Sequence, residues 1–259
     1  MQKTVSAINV EKFNLYYNSK HLLSDVYLSI YENQITAIIG SPHSGKSAFL
    51  KSLNRLIELE ANIKIEGTIE FFGQNIYGRR INLSRLRRQV SSIFQTPNIF
   101  PVSTYENVAY GIKLTGWYPK SELDHIVEFA IKRAGLWDDV RHRLYKSALD
   151  LPILLQQQLC IARALAVKPK VLLMDEPCGS LGAAASVKIE EIIQSLRGQM
   201  TIVIATQDTQ FASRISDFTA FFSSDEKGTS QMLEFGTTVQ IFTKPINSRT
   251  SDYVCGRHK

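Results

Sequence analysis

Apolar and polar positions follow two rhythms along this chain. Ile35-Thr36-Ala37-Ile38-Ile39 is a short apolar run of the kind that forms a buried strand, and it ends in a glycine-containing turn. Over residues 46–56 the apolar positions recur at helical spacing, so the local order is strand, loop, helix. Residues 68–72 predict a further strand. From about 103 to 165 the pattern is mostly helical, with breaks at Gly116, Pro119 and Pro152, which predicts an inserted helical lobe. Two short apolar strands follow at 171–174 and 201–205, separated by a helix over 184–196. That alternation is βαβ logic and implies a parallel sheet. The tail from about 226 predicts a strand-like piece and one short terminal helix. No repeat of fixed period and no low-complexity segment interrupts the chain, so one compact α/β unit is expected.

Composition narrows the class. At 259 residues, with 44% hydrophobic and 21% charged positions, the chain can bury a sizeable interior and has ordinary globular usage. No apolar run approaches the roughly 20 residues that span a bilayer. The opening Met1-Gln2-Lys3-Thr4 leads into strand-like residues without the apolar stretch of an export leader, and a cytoplasmic protein is expected. Cys160, Cys178 and Cys255 are far apart, which argues against a disulfide framework or a zinc site. The net charge of +6 is compatible with several partners. Its densest cluster, Arg79, Arg80, Arg85, Arg87 and Arg88, has no aromatic residues interleaved as a stacking platform would require. It is read as a solvated helix face, and no nucleic-acid partner is expected.

The chemistry is concentrated in two segments. Gly40-Ser41-Pro42-His43-Ser44-Gly45-Lys46-Ser47 fits GxxxxGK[ST] and lies between a strand and a helix, where a phosphate loop must be. Its glycines let successive backbone N–H groups turn towards an anion at the helix N-terminus. Lys46 is expected to reach the β- and γ-phosphates, and the Ser47 hydroxyl to ligate magnesium, a hard cation that takes oxygen ligands. The second segment, Val171-Leu172-Leu173-Met174-Asp175-Glu176, is an apolar strand ending in two carboxylates. Asp175 is expected to hold the magnesium through water. Glu176 is placed either to polarise an attacking water as general base or to serve as a plain surface or capping carboxylate. ATP with Mg2+ is the ligand these segments predict.

In this order along nearly the whole chain, the motifs resemble the ATP-binding cassette (ABC) family. The resemblance implies a P-loop NTPase (RecA-like) parallel sheet core with an antiparallel β subdomain and an inserted α-helical subdomain. In one domain, 1–259, the core would take about 1–95 and 165–225, the helical part about 96–164, and a short C-terminal segment 226–259. Gln95, in Ile93-Phe94-Gln95-Thr96-Pro97, looks like the family's Q-loop, which links the magnesium site to the groove where a membrane subunit docks. Tyr17 lies where the family stacks a ring on adenine, or packs simply as a strand tyrosine. Three stretches are most similar to the ATP-binding subunits of bacterial phosphate importers: Pro97-Asn98-Ile99-Phe100-Pro101 with 105–111, 156–165, and Ile241-Phe242-Thr243-Lys244-Pro245 with Asp252-Tyr253. This implies a subunit at the cytoplasmic side of the inner membrane, paired with a second cassette subunit and docked to permease subunits near residues 95–111.

The chain also departs from the family. Where the signature reads LSGGQ, this sequence has Leu151-Pro152-Ile153-Leu154-Leu155. Pro152 has neither hydroxyl nor N–H, and Ile153 and Leu154 add bulk where glycines let N–H groups approach the γ-phosphate. Asp150 either sets a carboxylate near the phosphates or caps the following helix. Gly182 replaces the D-loop aspartate, Gln207 stands at the switch histidine and cannot carry a proton, and Ala48 replaces a frequent hydroxyl after Ser47. The expectation is a chain that holds ATP and hydrolyses it slowly as a homodimer. The alternative is a regulatory or degenerate cassette that partners an intact ATPase subunit.

Overall fold

Two long amphipathic strands begin the chain. In β1 (Ser6–Tyr17), Ile8, Val10, Phe13 and Leu15 turn to the core, and in β2 (Lys20–Tyr31) Leu23, Val26, Leu28 and Ile30 do the same. Asn18 and Ser19 join them with φ of 45° and 65°, the left-handed pair that a two-residue hairpin matched to strand twist needs. The computed structural model describes residues 5–257, so Met1 to Thr4, read above as no export leader, lie outside the described residues.

The remaining strands are β3 (Ile35–Ile39), β4 (Ile63–Phe71), β5 (Gln74–Asn75), β6 (Val90–Ile93), β7 (Val171–Asp175), β8 (Thr201–Thr206), β9 (Phe218–Ser224) and β10 (Ser230–Thr237). All ten join one sheet in the order β5-β4-β1-β2-β10-β9-β3-β8-β7-β6. The pairs from β9 through β3, β8 and β7 to β6 are parallel, and those among β5, β4, β1 and β2 are antiparallel. Every residue of β3 and β8 is buried, as strands covered on both faces must be. The expected parallel core and antiparallel part are thus halves of a single sheet, joined where Ser230 of β10 pairs with Leu23 of β2.

The helices are α1 (Lys46–Ser52), α2 (Leu83–Gln89), α3 (Thr104–Lys113), α4 (Lys120–Arg133), α5 (Trp137–Val140), α6 (Ile153–Ala166), α7 (Ala183–Leu196), α8 (Thr209–Ile215), α9 (Thr238–Thr243) and α10 (Ser248–Val254). The inserted lobe is α3 to α6, with α6 buried along Leu159, Cys160, Ile161 and Ala162. A serine N-cap starts α3: the Ser103 hydroxyl accepts the Glu106 N–H at 3.1 Å, while the Glu106 carboxylate pairs with Lys113. Among the described residues no helix is long and apolar enough to cross a membrane.

Three local expectations change. The helix read over 46–56 ends at Ser52, because Arg55 takes a left-handed φ of 61° and a 3-10 turn follows at Leu56–Leu59. The strand read at 68–72 starts earlier, at Ile63, paired along β1. The tail carries two helices: the Glu234 carboxylate accepts the N–H groups of Ile246 and Asn247 at 2.7 and 3.1 Å and sets a corner between α9 and α10. Arg79, Arg80, Arg85 and Arg88 are exposed, whereas Arg87 turns inward and donates to the Arg55 carbonyl at 2.9 Å.

Candidate active site

The loop after β3 is shaped by two glycines. Gly40 has φ 155° and lies so close to β9 that a Cβ would stand 2.2 Å from the Phe222 carbonyl oxygen. Gly45, at the N-cap of α1 with φ 78°, has Leu23 where a Cβ would go, 2.6 Å away. Only glycine fits either position, and the result is a tight cradle at the start of α1. The Lys46 ammonium is buried and donates to the carbonyls of Gly40 and Ser41 at 2.7 and 2.9 Å. Burial lowers its pKa, and the carboxylates of Glu176 and Asp175 oppose that shift. A cleft of about 610 Å³ opens beside the cradle, lined by residues 42–48, by Lys20 and Leu22 of β2, and by Ser224 and Ser230 of β9 and β10.

The parallel sheet sets β7 one strand beyond β8 from β3, so its C-terminal end reaches the same edge as the loop. There the Ser47 hydroxyl donates to Asp175 Oδ1 at 2.8 Å. Burial raises the Asp175 pKa, and Ser47, Lys51 and Lys46 counter it. Glu176 follows with φ 44°, its N–H donating to the Ala205 carbonyl at 2.8 Å. Its Oε2 accepts the Thr206 hydroxyl at 3.0 Å, and Gln207 also hydrogen-bonds the carboxylate. Burial raises its pKa first; Thr206, Lys46 and Gln207 then favour the ionised form.

Gln95 joins this group through the turn after Glu176. A Cβ on Gly179 would lie 2.8 Å from Gln95 Nε2 and 3.2 Å from Glu176 Cβ, so the glycine admits the amide. The Ser180 hydroxyl donates to the Gln95 carbonyl at 3.0 Å. Buried Gln157 of α6 ties both segments together, donating to the carbonyls of Phe94 at 3.0 Å and Pro177 at 3.3 Å. The contacts of Thr206, Gly179 and Gln157 join segments that local sequence pattern does not bring together; a threonine ending an apolar strand beside the switch position is the one available signal.

Other predicted residues lie apart. Tyr17 is 41% exposed and does not line the cleft, although its hairpin supplies Lys20. The signature segment lies at the start of α6, where Pro152 holds the N-cap position without a side-chain cap. Asp150 therefore does not cap α6; separately, the Gln156 amide donates to the carbonyls of Leu149 and Leu151 at 3.2 and 2.8 Å. Leu149 is 52% and Ile153 46% exposed, giving this surface an apolar character. Gly182 is the N-cap of α7, with nothing within 4 Å of a Cβ.

A serine from the phosphate loop meeting a strand-end aspartate 128 residues away is the arrangement of a P-loop ATPase. The chain belongs to the ABC transporter family, whose model matches residues 23–179. Its relatives narrow this further. It is 56% identical over 256 residues, 99% of the chain and 98% of the relative, to phosphate import ATP-binding protein PstB 2 of Nostoc sp. (strain PCC 7120). It is 55% identical over 256 residues, again 99% and 98%, to phosphate import ATP-binding protein PstB 5 of Trichormus variabilis. Among solved structures it is similar to cbiO1 of Clostridium perfringens, part of the ABC transporter complex cbiONQ, with TM-score 0.79, 25% identity, 96% of this chain and 95% of that one. A bacterial Atm1-family ABC exporter with ATP bound shares the fold, with TM-score 0.78 and 19% identity over 98% of this chain and 42% of that one.

Proposed function

We propose that this chain binds ATP with Mg2+ and couples nucleotide binding and hydrolysis to the import of inorganic phosphate through separate membrane subunits. The 2.8 Å contact between Ser47 and Asp175 at the mouth of the glycine cradle carries the nucleotide reading. Two hard oxygen donors side by side fit a magnesium ion shared with phosphate oxygens, and the Gln95 side chain would complete the set on nucleotide binding. Bound there, the ion would neutralise phosphate charge. Lys46 would leave the loop carbonyls for the phosphates, with the N–H groups of residues 43–48 around it. Tyr17 would stack on the base, as an exposed ring at the hairpin end can.

Glu176 would take the proton of the attacking water, its Oε2 held by Thr206. Gln207 would orient that carboxylate without titrating itself. Each site would be completed by residues 151–155 of a second cassette subunit, the same or a related chain. Permease subunits would dock near residues 95–111 and hold the chain at the cytoplasmic face of the inner membrane. The phosphate cargo rests on the relatives. A degenerate cassette partnering an intact ATPase is favoured by one observation, the uncapped Pro152 followed by exposed Ile153. The test is uptake of labelled phosphate in cells lacking their own importer ATPase. Uptake restored by this chain and lost in Lys46→Ala supports the proposal; restoration by Lys46→Ala, or none by either while another solute enters, overturns it.

A further inference from the structure

The reaction as described leaves the C-terminal helix without a task, yet α10 lies against the phosphate loop. Tyr253 is buried in a small apolar cluster with Ala37 and Ile39 of β3, Ala212 of α8 and Ile241 of α9, and its ring centroid is 4.9 Å from that of Phe221. Packing alone would be served as well by phenylalanine. The hydroxyl, however, reaches two parts of the site at once. It accepts the backbone N–H of Gly40 and lies 3.4 Å from the Gln207 carbonyl oxygen, to which it donates. Gly40 also lies close to β9, where a side chain would meet the Phe222 carbonyl. Burial pushes the phenol up to about 12, so it stays neutral and keeps both a hydrogen to give and lone pairs to receive. One turn earlier in the same helix, Arg249 donates to the Ser224 carbonyl at 2.7 Å and anchors α10 to the end of β9.

We infer that Tyr253 is a positioning residue whose hydroxyl bridges the first residue of the phosphate loop and the residue at the switch position. The C-terminal helix thereby holds the two segments in register, and a movement of either is felt by the other. This rests on the nucleotide reading of residues 40–48.

Tyr253→Phe keeps the ring and removes the bridge. One such hydrogen bond predicts a roughly three- to tenfold weaker affinity for a fluorescent ATP analogue titrated against the full chain. Phe221→Leu keeps the hydroxyl and trims the ring contact; it should lower the melting temperature and leave that affinity unchanged. Wild-type affinity in Tyr253→Phe, or equal weakening in Phe221→Leu, overturns the inference. Exchange of the Gly40 amide hydrogen reads the bridge without nucleotide and should quicken about tenfold in Tyr253→Phe; unchanged exchange also overturns it. Failure of the wild-type chain to bind the analogue would instead remove the nucleotide reading, and the Gly40 exchange alone would then decide the bridge.

Discussion

Replacing Pro152 with serine separates the two halves of the proposed site. Pro152 is exposed and holds the N-cap of α6 with φ −54° and ψ 152°, extended angles that a capping serine adopts without strain. The new hydroxyl oxygen would accept one of the free N–H groups of the first turn of α6, which gains about 1 kcal/mol. In a chain of this size that raises the melting temperature by about 2–4 °C. The same hydroxyl can point its hydrogen outward to the γ-phosphate of the facing subunit. If it acts as an oxyanion-hole donor does, it contributes about 2.7–4 kcal/mol to the transition state, a factor of about 10² to 10³ in turnover. Ile153 and Leu154 keep their side-chain bulk where the family has glycines, so only one donor is restored. Steady-state phosphate release at saturating Mg-ATP reads the gain, with Lys46→Ala as background and a thermal melt on the same sample. A melting temperature that rises while turnover stays within about threefold of the wild type would show that the cap forms without helping hydrolysis, and that this position does not serve the transition state.

Three further outcomes follow from the site geometry. Ser47→Ala removes the 2.8 Å partner of Asp175, and ATP affinity measured by calorimetry in Mg2+ should fall about tenfold towards its value in chelator, with no change in chelator itself. In Thr206→Val, Glu176 loses the donor that favours its ionised form. Its pKa, already raised by burial, rises further, so the limb on which activity is lost as pH falls moves to higher pH while the alkaline limb stays. Gly182→Asp places a capping side chain in open space at the start of α7, and a denaturant melt should show stability changed by only a few tenths of a kcal/mol.

Much of the site could be read from the chain because its parts are contiguous. The phosphate loop is eight successive residues between a strand and a helix, and Asp175 and Glu176 end an apolar run, so local pattern and chemistry agree. The helical lobe was visible for the same reason, its breaks at Gly116, Pro119 and Pro152 falling between helices. What was not legible depends on sheet order. Thr206 meets Glu176 because β8 lies between β3 and β7, and Gln157 meets Phe94 and Pro177 because α6 packs under both turns. Tyr253 is furthest from sequence logic: its partners are 46 residues away at Gln207 and more than 200 away at Gly40. Whether Asp150 caps α6 depends on where the helix starts, and it starts too late, at Ile153, with Pro152 at the N-cap and no side-chain cap.

The half of the proposed site that holds ATP is complete, and the half that drives hydrolysis is altered. ATP affinity and steady-state hydrolysis, measured on one preparation of the chain alone with Lys46→Ala as the background, separate the two halves. ATP should bind to the chain and not to Lys46→Ala, and turnover should stay well below about 1 per second and rise when a second cassette subunit with an intact signature is added. Turnover of about 1 per second or more from the pure homodimer would mean that the hydrolytic half is intact.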